Sequence, residues 1–217
     1  HLRGDADVVG NFTSGGTESI ILAVKAARDY YRVHRPEIKA PEMVLPASAH
    51  AAFHKAGHYL GVKRVLVPVD EKTFRADPSA VEAAITPRTI MLVGSAPSYS
   101  HGVVDPIADL GRIAREHDVW LHTDACMGGF LLPYFRRLGA PVPDFDFQVA
   151  GVSSISMDLH KYAYTPKGAS LVLYRNKDLR KYQLFACAHW IGYTIVNNAV
   201  QSSKSGGPMA AAWAVLN

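Results

Sequence analysis

Cysteine is nearly absent: only Cys126 and Cys187 occur among 217 residues. Two thiols cannot build a disulfide framework, and these lack the close pairwise spacing of a zinc site, so a reducing, cytoplasmic setting is expected. Long apolar runs are missing as well. No stretch approaches the roughly 20 residues that cross a bilayer, and the opening HLRGDADVVG lacks the basic, apolar and small-residue order of a signal peptide. A strong excess of one charge sign is lacking too. The net charge is only +4, and the basic residues are scattered rather than gathered in a tract with interleaved aromatics. Nucleic acid is therefore not expected as a partner, while small anionic ligands stay open. Repeats, low-complexity segments and linkers are also lacking. What remains is 48% hydrophobic and 19% charged, the composition of one large globular domain with a substantial core. The chain starts at His1 and stops in AAAWAVLN, a helical run without a closing cap, and so reads as an excerpt from a longer chain.

Short apolar runs at Met43 to Leu45, Val65 to Val67, Ile90 to Val93, Val119 to Leu121, Val152 to Ile155 and Ser170 to Leu173 have the length of strands. Amphipathic segments lie between several of them. In TESIILAVKAARDYYRVH, residues Ile20, Ile21, Val24, Ala27, Tyr30 and Tyr31 recur at helical spacing, with Ser14 or Thr17 able to cap. DPSAVEAAI and DPIADLGRIAREH each open with an Asp cap and Pro at the first helical position. RRLGAPVPDFDF is the most loop-like stretch. Strands alternating with helices predict a three-layer α/β/α domain with a mostly parallel sheet. In such sheets ligands bind beyond the carboxyl ends of the strands, so the residues following each apolar run matter most.

Four features fall in those positions. In TSGGTES, Ser14, Gly15 and Gly16 place hydroxyls, small residues and free backbone N–H groups at a helix start, which suits a phosphate. An ordinary glycine-rich helix entry would look the same, and neither a Walker lysine pattern nor a full G-x-G-x-x-G fingerprint is present. VWLHTDACMGGF delivers His122 and Asp124 to a strand end, where the acid serves either as a helix cap or as partner to a positively charged ligand nitrogen. His50 follows a strand and precedes an amphipathic segment; it is either a capping or packed histidine, or a flat ring that stacks on a heteroaromatic ligand. His54 and His58 share its helical spacing, but no HExxH or nearby carboxylate completes a ligand set, so no metal is expected. Lys161, in SISMDLHKYAYTPKG, is either a solvated loop lysine or an amine nucleophile at the end of a strand. A phosphate cradle, a flat imidazole, a strand-end aspartate and a strand-end lysine together meet the needs of pyridoxal 5'-phosphate.

The ordered series TSGGTES, AHAAF, LVGSAPSYSHGVVDPI, HTDACMGGF and SISMDLHKYAYTPKG resembles the fold type I pyridoxal phosphate enzymes of the group II decarboxylase superfamily. Within that superfamily it is most similar to the sphingosine-1-phosphate lyases. The resemblance runs from about Gly10 to Gly207 and implies an aspartate aminotransferase-like large domain over residues 1–217, without the N-terminal segment and C-terminal small domain of the superfamily. It implies that Lys161 binds the cofactor aldehyde as an imine, that Asp124 pairs with the pyridine nitrogen, and that His50 stacks on the ring. Ser14, Gly15, Gly16 and His160 would surround the cofactor phosphate. Tyr99 and Lys167 match positions near the substrate, and the active site would form in a homodimer.

The cofactor alone does not choose the reaction, because the bond that breaks is the one held perpendicular to the ring by the pocket. Tyr99, His101 and Lys167 lean toward retro-aldol cleavage of a phosphorylated sphingoid base, which yields a long-chain aldehyde and phosphoethanolamine. An amino acid decarboxylase is the alternative, and a noncatalytic relative the second. Retention of Lys161, Asp124 and His50 together speaks against the latter. The family pattern is broken in GYTIVNNAVQSSKSGGPMAAAW, where Lys204 stands in place of an expected arginine, a change that alters how a planar anion is clamped.

Overall fold

The computed structural model describes residues 1–217. Its apolar runs form β2 (Glu42–Pro46), β3 (Lys63–Val67), β4 (Thr89–Ser95), β5 (Trp120–Asp124), β6 (Val152–Asp158) and β7 (Ser170–Tyr174), which are the six strands that the apolar pattern predicts. A further strand, β1 (Val9–Thr13), completes a seven-stranded sheet of order β1-β7-β6-β5-β4-β2-β3. β2 to β6 pair in parallel, whereas β7 runs antiparallel to both β6 and β1. Since β1 is antiparallel to a strand that is itself reversed, it points the same way as β6. Six of the seven strands therefore deliver their carboxyl ends to one edge of the sheet.

Alternation along each strand feeds two cores. Met43 and Leu45 pack with α1 (Gly16–His34) and α2 (Ala51–Leu60), while Val44 between them packs on the opposite face. That second face is covered by α3 (Pro78–Ala83), α4 (Ile107–Glu116) and α5 (Gly128–Arg137). On α1 the buried residues Ile20, Ala23, Val24, Ala27 and Tyr31 recur at helical spacing, so one stripe of the helix lies on the sheet. The chain continues through α6 (Lys177–Arg180), a short antiparallel pair β8 (Phe185–Cys187) and β9 (Ile195–Asn197), and α7 (Gly206–Leu216). No helix is long and apolar enough to cross a membrane.

Local chemistry departs from the sequence expectation at two helix starts. Asp77 caps α3 as expected, accepting from the Ser79 N–H with Pro78 at the first position. Asp105 does not cap α4, which begins after Pro106 without a side-chain cap. Its carboxylate is fully buried and instead accepts from the Ala76 N–H at 2.8 Å and the Ser95 N–H at 2.7 Å. It thus ties the chain before α3 to the carboxyl end of β4. Likewise neither Ser14 nor Thr17 caps α1; Gly15 occupies the cap position with no side-chain bond. Glu18 reaches back to the N–H and hydroxyl of Ser14 at 2.6 and 2.7 Å, one residue too early to occupy the first-turn donors.

Asp105→Ala should cost about 3 kcal/mol of unfolding free energy in urea denaturation, because two buried N–H groups lose their acceptor. Asp105→Asn, which keeps one acceptor oxygen, should cost less. A loss below about 1 kcal/mol for the alanine variant would show that the two segments do not depend on this carboxylate.

Candidate active site

At the edge where the six strands end, a cleft of about 360 Å³ opens between the N-terminus of α1 and the loops after β2, β4, β5 and β6. Ser14, Gly15, Gly16, His50, Tyr99, Asp124, His160 and Lys161 all line it. The two remaining discriminators lie outside the lining: Lys167 is exposed on the loop beyond Lys161, and His101 stacks on Phe74 with centroids 4.7 Å apart. Tyr99 sits at the rim, 70% exposed, with its ring edge-on to His50 at 6.0 Å.

Each lining group is held by backbone or buried partners. His50 is the N-cap of α2 as well as part of the cleft wall: its Nδ1 accepts from the Ala52 N–H at 3.1 Å. That bond fixes the ring and leaves the proton on Nε2. Asp124 ends β5 with one oxygen, Oδ1, accepting from the Cys126 N–H at 3.1 Å and the Ser156 hydroxyl at 3.0 Å. His160 is pinned by a bond from the Ala169 N–H to its Nδ1 at 3.1 Å, which turns Nε2 toward Asp158 Oδ2, 3.5 Å away. Burial pulls its imidazole below the ordinary histidine range, against the opposing field of Asp158.

Asp158, at the end of β6, was not among the residues that sequence reasoning selected. Its side chain is buried, and Oδ2 pairs with Lys161 Nζ at 2.8 Å, three residues along. Burial pulls the lysine amine down, but the bond to Asp158 and the nearby acids outweigh it and carry Lys161 above its ordinary value. The other carboxylate oxygen, Oδ1, is buried with no partner. Cys126 lies on the same floor; burial, then Asp124 and Asp158, push its thiol far up, so it is not a nucleophile at neutral pH. A readable signal for the missed acid did exist. In SSISMD, residues Ser154, Ser156 and Asp158 alternate, so they share one face of a strand and end at the cleft.

Two observations test whether this cleft fits pyridoxal phosphate. The first turn of α1 lacks a side-chain cap, so its N–H groups are free for an anion. A Cβ at Gly16 would lie 2.8 Å from Cys126 Sγ and 2.9 Å from Asp158 Oδ2, so only glycine lets the helix start approach the cleft floor this closely. With an amine at Lys161, an acid at Asp124 and a fixed imidazole at His50 around one space, the residues fit the group. No cluster of three or more His, Cys, Asp or Glu side chains is arranged to hold a metal ion.

Comparison with known proteins agrees with this geometry. A family model described as the pyridoxal-dependent decarboxylase conserved domain matches residues 2–211. Sphingosine-1-phosphate lyase from Oryza sativa subsp. japonica is 50% identical over 209 residues, covering 96% of this chain and 38% of that protein. The Rattus norvegicus sphingosine-1-phosphate lyase 1 is 48% identical over 216 residues, 99% of this chain and 38% of the relative. The chain thus spans well under half the length of these relatives. A solved sphingosine-1-phosphate lyase from Burkholderia pseudomallei superposes with a TM-score of 0.94 at 44% identity, over 96% of this chain and 48% of the other. A glutamate decarboxylase from Lactobacillus brevis shares the fold, with a TM-score of 0.83 at 23% identity over 95% of this chain and 49% of the other.

Burial pushes the His122 imidazole from 6.5 down to about 4, against a smaller pull from Asp124. Between these two values the unfolded chain binds a proton that the folded chain does not. The stability gained by keeping the ring neutral is therefore complete above the unfolded value and is lost as pH falls toward the folded one, by about 3 kcal/mol in all. Urea unfolding from pH about 7 to about 4 should show that extra loss relative to His122→Gln. Identical slopes would contradict a buried neutral ring.

Proposed function

The chain belongs to the pyridoxal-dependent decarboxylase family, and from that premise we propose that it is the cofactor-binding part of a sphingosine-1-phosphate lyase. Such an enzyme cleaves the Cα–Cβ bond of a phosphorylated sphingoid base and releases a long-chain aldehyde and phosphoethanolamine. The observation that carries the reading is the convergence of Lys161, Asp124, His50 and the uncapped start of α1 on one cleft, in a sequence up to 50% identical to such lyases.

When bound, pyridoxal phosphate supplies an electron sink for a bond breaking at the substrate's Cα. Lys161 is the amine that would hold its aldehyde. As an ammonium paired to Asp158 at 2.8 Å it is not nucleophilic, so its proton must leave first, and Asp158 Oδ2 is the acceptor already in contact. The Gly15–Gly16 turn would take the phosphate, with the N-terminal end of the α1 dipole favouring its charge; Ser14, whose N–H and hydroxyl go to Glu18, and His160, whose Nε2 faces Asp158, would join it by exchanging those partners for the phosphate. Asp124 has Oδ1 engaged within the protein, which leaves its other oxygen to hold a protonated ring nitrogen. His50 offers a ring whose orientation is fixed by its bond to Ala52.

Tyr99, at the rim beside His50, would as its phenolate take the proton of the substrate's β-hydroxyl. Removal of that proton lets the aldehyde C=O form as the Cα–Cβ bond breaks, and a proton delivered to Cα completes phosphoethanolamine. Lys167, exposed on the cleft-side loop, would meet substrate charge only at the periphery. The exposed apolar residues Phe185, Trp190, Ile191, Tyr193 and Val196 around the β8–β9 pair support a homodimer, since an apolar surface of this kind is normally covered.

In the intact protein loaded with pyridoxal phosphate, a phosphorylated sphingoid base should yield aldehyde, and amino acids should yield no carbon dioxide. The reverse result would install the decarboxylase reading. Tyr99→Phe should lower kcat for aldehyde release about a hundredfold with little change in KM. An unchanged kcat would remove the phenol from the chemistry.

A further inference from the structure

Behind Asp124, away from the cleft, lies a row of buried polar side chains that the reaction does not touch. The Trp120 Nε1–H donates to Ser154 Oγ at 2.8 Å. Ser154 Oγ lies 2.8 Å from His122 Nδ1, His122 Nε2 lies 3.2 Å from Ser156 Oγ, and the Ser156 hydroxyl donates to Asp124 Oδ1 at 3.0 Å. Trp120, His122, Ser154 and Ser156 are all buried. The residues alternate along the paired strands β5 and β6, with His122 opposite Ser154 and Asp124 opposite Ser156. One face of the two-strand pair therefore carries the whole row.

The direction of every proton follows from the two ends. An indole nitrogen only donates and a carboxylate only accepts. Ser156 spends its single proton on Asp124, so it must accept from His122, whose proton is then on Nε2. Ser154 accepts from Trp120, so its own proton is free to go to the remaining lone pair of His122 at Nδ1. Each hydroxyl accepts once and donates once, and the imidazole does the same. The arrangement requires a neutral ring, in agreement with the depressed basicity of His122. Phe53, edge-on to the ring with centroids 5.8 Å apart, closes it off with an apolar neighbour.

We infer that Trp120, Ser154, His122 and Ser156 form a one-directional hydrogen-bond relay that orients Asp124, making them positioning residues for the contact between Asp124 and the cofactor's ring nitrogen. The inference rests on the cofactor reading of the cleft. A carboxylate with one oxygen saturated by Ser156 and the Cys126 N–H cannot rotate without losing both bonds, so its second oxygen stays presented to the cleft. Hydrogen bonds in series polarise one another, so a change at Trp120 is transmitted to Asp124 although the indole touches neither the acid nor the ligand.

The test uses the intact protein, with pyridoxal phosphate affinity and the pH dependence of its visible absorption band as readouts, for wild type, Ser156→Ala, Ser156→Thr and Trp120→Phe. Ser156→Ala should bind the cofactor about tenfold more weakly, the effect of one hydrogen bond to a charged group, and should move the band's titration to higher pH, because a less firmly protonated ring nitrogen withdraws less charge from the group that titrates. Ser156→Thr, which keeps the hydroxyl, should restore most of both. Trp120→Phe should change both in the same direction by a smaller factor. Histidine ring nitrogen shifts in wild type should show His122 neutral and protonated at Nε2. Wild-type affinity and an unmoved band in Ser156→Ala, a threonine variant as weak as the alanine one, or a His122 proton on Nδ1 would each overturn the relay. Absence of cofactor uptake by wild type would instead overturn the cofactor reading, and with it the purpose assigned to the row.

Discussion

Two acids, Asp124 and Asp158, end neighbouring strands on the floor of one cleft, and both are buried. Two like charges placed so close in a poorly solvated site cannot both be retained unless each is matched. The fold matches them differently. Asp124 is held by neutral donors, the Cys126 N–H and the Ser156 hydroxyl, whereas Asp158 is countered at one oxygen by a full cation, Lys161, its other oxygen having no partner. Much of the surrounding architecture follows from this division: serines at alternate positions of β6, a glycine where α1 meets the floor, and a thiol nearby that stays protonated.

The division also separates two kinds of chemistry. The acid backed by neutral donors has its geometry fixed by them and suits an electrostatic role. The acid paired with an amine forms a proton-exchange couple, because the partner's proton has an acceptor in contact at 2.8 Å. The parallel sheet makes the pairing possible. β5 and β6 run side by side, so residues at equivalent depth on each strand are neighbours, and a loop leaving β6 brings Lys161 back over the strand that carries Asp158.

Much of this was legible in the sequence, and the rest was hidden for identifiable reasons. Apolar runs of strand length located six of the seven strands, because burial on both faces removes polar interruptions from the central ones and the edge strand β3 still carries the uninterrupted run Val65 to Val67. β1 was missed because Gly10, Asn11 and Thr13 break its apolar run, and its place at the sheet edge demands less burial. Lys161, Asp124, His50 and the glycine turn were readable because each follows an element boundary, where a parallel sheet places its ligands. Asp105 misled because an Asp-Pro pair is a strong helix-start signal, and only tertiary structure shows its carboxylate committed to Ala76 and Ser95. The serines of β6 carried an alternating signal, but serine is common enough that the signal acquires meaning only once Asp124 and His122 are seen across the strand pair. Lys167 shares the motif of Lys161, yet the turn between them puts one in the cleft and the other in solvent. Sequence proximity does not settle that.

The central claim is that the amine of Lys161 is the point of covalent attachment for pyridoxal phosphate. The most direct measurement is borohydride reduction of the intact protein incubated with the cofactor, followed by peptide mapping. The account predicts that the visible absorption band disappears on reduction and that a pyridoxyl group remains permanently attached to the peptide carrying Lys161, and to no other lysine. A label on Lys167 or another lysine, or no label at all, would contradict it.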